Sequence, residues 1–210
     1  ANELLGEFTG YLVTDHYSGY NDVPVERRQL CWAHLIRHFT KISERNGLAG
    51  EIGRRLLLIS GAVIRTRHRQ LDNLDDRERY QRRFQRLRES FYTTLSQGTE
   101  LKLADRTRNQ CRHLLKDEAM CWTFLKDLSI PLTNNLAERA IRPYVIWRKL
   151  SFASQSSQGD QFRPMILSII GTTRCLGIRT SDYLRNLCNE GLRGNPISQL
   201  PLDKALQATV

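Results

Sequence analysis

"GYLVTDHYSGYNDVPVERRQLCWAHLIRHF", residues 10–39, is the stretch on which the fold turns. "YLVTD" is a short run of β-favouring residues that stops at Asp15, and "HYSGYND" behind it is turn chemistry. The run "RRQLCWA" then reads as a neighbouring strand. From His34 the spacing of Leu35, Ile36, Phe39 and Ile42 turns helical. Strand, turn, strand, helix in forty residues predicts an α/β fold.

Outward from there the pattern changes. From about Ser43 to Asp127 three long helical patterns follow one another with no convincing strand between them. In the middle one, Tyr80, Phe84, Leu87, Phe91 and Leu95 form a core stripe, Asp75 or Asp76 offers a cap, and Gly98 a stop. Arg79, Arg82, Arg83, Arg86 and Arg88 spread over the remaining faces, where they read equally as a solvated surface or as contacts to DNA. Beyond Pro131 shorter elements return. A helix from about Leu136 through Lys149 is expected to break or kink at Pro143, followed by the polar loop "SQSSQGD" and two further helices.

Lys and Arg outnumber Asp and Glu by 32 to 22, a net charge of +10, which favours a polyanionic partner. Five cysteines, an odd number without CxxC spacing, argue against a disulfide framework or zinc ribbon and for a reduced, cytoplasmic setting. No apolar run is long enough to span a membrane and no signal peptide is visible, so no membrane partner is expected. The chain opens "ANELLGEFTG", without Met and with an apolar pattern already under way, as a piece of a longer protein would. Cys31 with His34, and His34 with His38, have half the spacing of a zinc site; Cys31 and Trp32 read better as core. Trp147 beside Arg148 and Lys149 reads as packing before base stacking.

"PLTNNLAERAIRP", residues 131–143, carries the second acidic candidate. With Asn135 as N-cap, Glu138 falls at the third helical position, where its carboxylate closes a capping box. The alternative is a metal ligand. Asp15 at a strand end and Glu138 at a helix start are the oxygen donors that Mg²⁺ or Mn²⁺ accepts while keeping positions for water and phosphate.

"GYLVTDHYSGY", "CWAHLIRHF" and "NNLAERAIRPYVIWRK", in that order, resemble the catalytic domain of the insertion sequence sixty-six family of bacterial DDE transposases, from about Gly10 to Gly191. The resemblance implies a partial ribonuclease H-like fold with a large all-helical insertion. Residues 1–42 would be part of the core, 43–127 the insertion, 128–191 the remaining core with the acidic helix, and 192–210 a tail. It also implies that Asp15 and Glu138 are the second and third acids of a metal-binding catalytic triad, with the first upstream of residue 1. DNA, as element ends and target, would be the partner. Arg139, Arg142, Arg148 and Lys149 would grip phosphates near the metals, Arg82, Arg83 and Arg86 would bind DNA farther off, and the active complex would be a homo-oligomer at the nucleoid. The isolated chain, lacking the first acid, is expected to be inactive. The pattern differs from the family at His16, where glycine is usual, and in "SFASQSSQGD". The rival reading is a non-catalytic basic helical DNA-binding protein.

Overall fold

The computed structural model describes residues 5–152 and 154–196. The expected tail from 192 therefore lies mostly outside the described residues, as does the whole of the opening "ANEL". Two strands, β1 (Leu12–Thr14) and β2 (Arg28–Leu30), pair in parallel with Leu12 opposite Arg28 and Thr14 opposite Leu30. Residues 15–27 make the crossover through two short 3-10 turns, close to the dozen residues a parallel connection needs. Helices α1 (Trp32–Ser43), α2 (Gly47–Asp72), α3 (Arg77–Thr99) and α4 (Asp105–Lys116) follow. After two more 3-10 turns come α5 (Asn135–Leu150), α6 (Ser157–Cys175) and α7 (Thr180–Leu192).

This corrects the expected fold class. The only sheet among the described residues has two strands of three residues each, so the protein is mostly helical and not an α/β, ribonuclease H-like fold. The physical reason lies around β2. "RRQLCWA" stays extended for three residues only, because Trp32 already begins α1. The neighbours of β2 on its other side are the 3-10 turns at Glu118–Cys121 and Thr123–Leu125, bound by side chains. The Gln29 amide donates to the Cys121 carbonyl (3.1 Å) and accepts the Phe124 N–H (2.7 Å), and the Trp32 indole N–H also donates to Cys121 O (3.0 Å). The β2 carbonyls are taken by side chains as well, Arg28 O by the Thr123 hydroxyl and Leu30 O by the Gln29 amide, so no third strand is needed to satisfy them.

The chain divides into two compact units, residues 1–136 and 137–210. The first holds the core. Trp32, Phe91 and Trp122 meet with ring centroids 5.4–5.9 Å apart, and Phe84 stacks edge-on against Phe124 at 5.3 Å. The α3 stripe faces this cluster as its spacing predicts: Phe84, Phe91 and Leu95 are buried, Tyr80 and Leu87 partly so. Gly98 stands one residue before the end of α3 at Thr99, close to the stop expected of it, and a Cβ there would collide with Cys111 Sγ on α4. Asp76 sits at the α3 N-cap without a side-chain capping bond and pairs with Arg79 instead (3.3 Å).

Arg67 on α2 ties the end of this unit down. Its guanidinium, 3% exposed, donates to the carbonyls of Leu128 (2.8 Å) and Ile130 (3.2 Å) and lies over the Phe124 ring. Burial lowers its pKa, against the pull of Asp127. The following segment is fixed to the start of α1: Trp32 N–H donates to Leu132 O (2.9 Å) and Asn134 N–H to Cys31 Sγ (3.5 Å). Cys31 and Trp32 are core, 1% and 0% exposed.

In the second unit α5 runs unbroken through Pro143. Trp147 is half-buried between Phe162, edge-on at 6.5 Å, and the Arg163 guanidinium, 5.4 Å above its ring. The polar loop is shorter than expected because Ser156 caps α6, its hydroxyl accepting the Gly159 N–H. Helices α6 and α7 pack together, joined by the Thr173 and Thr180 hydroxyls at 2.7 Å.

Candidate functional site

Asp15 stands at the carboxyl end of β1, half-buried, where the strand gives way to the crossover. Its Oδ1 accepts the Tyr17 N–H (3.1 Å), an Asx turn that orients the carboxylate. Next to it, His16 Nε2 and Asp117 Oδ2 lie 2.6 Å apart, and the His113 ring from α4 meets the His16 ring edge-on at 6.1 Å. Beneath them lies Arg28 of β2, 3% exposed, whose Nε and Nη2 are buried without a hydrogen-bond partner among the described residues. Burial lowers the pKa of Arg28, while Asp117, Asp15 and Tyr20 oppose that shift. Asp15 thus lies within the field of a buried cation.

Glu138 is half-buried in the first turn of α5. The helix begins at Asn135, which puts Asn134 at the cap position and Glu138 one residue deeper than the capping-box register. Asp15 belongs to the first compact unit and Glu138 to the second. Arg139 and Arg142 are exposed on the same helix, and Arg148 and Lys149 close its last turn.

Arg82, Arg83 and Arg86 come together with Arg79 along one shallow groove on α3, opposite the buried Phe84 and Phe91. Eight residues of helix, Arg79 to Arg86, carry that row over about 10 Å. Arg79 and Arg82 pair loosely with Asp76 and Glu78, at 3.3 and 3.5 Å, in exposed contacts that hold little energy. Phosphates can replace such partners at small cost. Arg88 differs: it forms a two-pronged pair with Glu118 (2.9 and 2.8 Å) that raises its pKa, so it is structural.

Among the described residues no three His, Cys, Asp or Glu side chains converge as a complete metal cage. A hard cation has another mode, in which one or two carboxylates hold a largely hydrated Mg²⁺ and substrate phosphate supplies the rest. Asp15 qualifies as one such donor. Sequence reasoning missed Arg28 and Asp117. A charged residue inside a β-favouring run was the available signal for the first, and nothing local marks the second.

The model of the Transposase IS66 family matches residues 1–161, a span that includes Asp15 and Glu138, and the chain belongs to that family. It is also 26% identical over 217 aligned residues to "Uncharacterized protein y4qI" of Sinorhizobium fredii (strain NBRC 101917 / NGR234), covering 95% of this chain and 39% of that protein. The chain therefore spans well under half the length of the curated relative it matches. No solved structure matches. No helix among the described residues is long and apolar enough to cross a membrane.

Proposed function

We propose that this chain is the DNA-handling, strand-cutting and strand-joining portion of a transposase. The observation that carries the reading is Asp15, oriented at a strand end by its own turn, in a chain whose family match runs through Glu138. Asp15 and Glu138 would each serve as a carboxylate donor to Mg²⁺ or Mn²⁺. When bound, such an ion supplies Lewis acidity toward a phosphodiester oxygen. Arg28 fixes the charge balance under Asp15, and Arg139, Arg142, Arg148 and Lys149 bind phosphate near Glu138. Arg82, Arg83 and Arg86 hold DNA electrostatically, without reading bases.

The test is DNA cleavage by the protein of the whole reading frame, with duplex binding measured alongside. Asp15→Asn and Glu138→Gln are each expected to abolish cleavage and spare binding. Residues 1–210 alone should bind DNA but not cut it. Replacing Arg82, Arg83 and Arg86 by Ala should reduce the salt slope of binding by about 0.9 for each phosphate that those side chains neutralise. Cleavage that survives both acid substitutions would overturn the assignment. The α3 arginine row also favours a second reading, a DNA-binding module without chemistry, which absence of cleavage by the unsubstituted protein together with an altered salt slope would support.

A further inference from the structure

Helices α1 to α4 pack in chain order, α1 on α2, α2 on α3 and α3 on α4. Between the first and the last of them a cavity of about 610 Å³ remains, and Asp15 and His16 stand in its lining. Leu35 and Phe39 of α1, Leu56 of α2, Leu95 of α3 and Leu114 of α4 supply apolar wall. From α4 the polar lining adds Arg106, Asn109 and Gln110. We propose that this cavity receives one unstacked nucleobase of the DNA strand whose phosphate meets the cation proposed at Asp15.

Four observations carry the proposal, which rests on the DNA-handling reading above. Position comes first: a cavity that shares Asp15 with the proposed metal site is within one nucleotide of a phosphate that such a cation would hold. Shape and polarity come second. A base has two apolar faces and a hydrogen-bonding edge, and the lining pairs aliphatic and aromatic wall with two consecutive amide side chains. Third, Gln110 Oε1 is buried with no hydrogen-bond partner among the described residues. An acceptor stripped of water costs free energy until a donor reaches it, and a rotation of this lining amide toward the cavity would give it the N–H groups of a base edge. Fourth, Asp15 is the only carboxylate among the described residues of the lining, while Arg106, one helical turn before Gln110, offers a cation to the strand's backbone. His16, held by Asp117 and set edge-on to His113, adds a rigid aromatic side on which a base of any sequence can stack. A base still stacked in a duplex cannot enter, so the cavity favours single-stranded or opened DNA.

The experiment uses residues 1–210 and a single-stranded oligodeoxynucleotide of about a dozen nucleotides carrying one central 5-iododeoxyuridine, with photocrosslinks mapped by mass spectrometry. Crosslinks are expected on residues 34–39 or 106–114. They should fall about tenfold in Leu114→Trp, which fills the cavity, while overall affinity at low salt changes much less, because phosphate contacts on α3 persist. Gln110→Leu guards against a folding failure of the bulky variant. It removes an unpartnered acceptor, so thermal stability should hold or rise while crosslinking drops. Crosslinks confined to α3, or unchanged in Gln110→Leu and in a folded Leu114→Trp, would overturn the base pocket and leave the DNA-handling reading standing. Absence of any DNA binding by the unmodified chain at low salt would overturn both.

Discussion

Residues 5–136 and 137–196 are both helical, yet only the first stretch builds a core. Nineteen buried side chains, from Leu30 to Leu132, form one contiguous cluster there. In the second stretch Thr173 is the only buried residue among those described, while Ile141, Leu150, Phe152, Phe162 and Met165 remain exposed. Helix formation and core formation are therefore separate problems. A helix needs favourable local residues, whereas a core needs apolar faces that meet, as those of α1 to α4 do around Trp32 and Phe91.

The sharpest way to break that comparison is to truncate one phenylalanine on each side. Phe91→Ala should cost about 3–5 kcal/mol, the range for deleting a buried aromatic ring. Phe162→Ala, at a side chain 52% exposed, should stay within about 0.5 kcal/mol. Urea unfolding followed by circular dichroism measures both, and equal losses would mean that residues 137–196 have a core of their own.

A smaller effect is expected at Arg67, where the first region grips its own last segment. Arg67→Met leaves the carbonyls of Leu128 and Ile130 without their donor and should cost about 1–3 kcal/mol. Amide exchange at residues 127–134 should quicken selectively. If exchange there is unchanged, the clamp is not what orders the approach to α5.

Cysteine reactivity sharpens the comparison without touching the fold. Cys175 and Cys188 are exposed, whereas Cys31, Cys111 and Cys121 are buried. At pH 8 a thiol reagent should modify the first two promptly and the other three only on unfolding. Burial pushes the Cys111 thiol up to about 11 from 9.0, with Arg45 pulling the other way, and raises Cys121 as well. The unfolded chain therefore gives up protons first as pH climbs from about 9 toward 11. Stability should fall across that window and be fully present below it. A flat stability profile there would show that the thiols are hydrated.

These contrasts also show which features the sequence carried locally. "YLVTD" and "RRQL" each hold a strand, and the α3 stripe points to its core, because both periods are written in adjacent residues. The fold class was misread for a non-local reason. What borders β2 is decided by Gln29 and Trp32 reaching Cys121, some ninety positions away, and no pattern around residue 29 announces a partner at that distance. Gly98 stands next to the end of α3 as its sequence suggests, but its small size also answers to Cys111 on another helix, which no local pattern announces. The placement of Arg28 under Asp15 likewise depends on tertiary burial that a strand pattern does not encode.

The bonds between the start of α1 and the segment before α5 have a consequence for the order of folding. Helices α1 to α4 meet their neighbours in chain order, so their contacts close short loops and form early. The tie from Asn134 to Cys31 spans 103 positions, and a loop of that length bears the greatest closure entropy in this unit. Residues 28–32 can thus lock only after the helical stack exists, and the turn at Asp15, which rests on β2, becomes rigid last. Pulse-labelled hydrogen exchange during refolding should protect amides of α2 and α3 before those of Cys31 and Trp32. Simultaneous protection would mean that the site nucleates the fold instead of completing it.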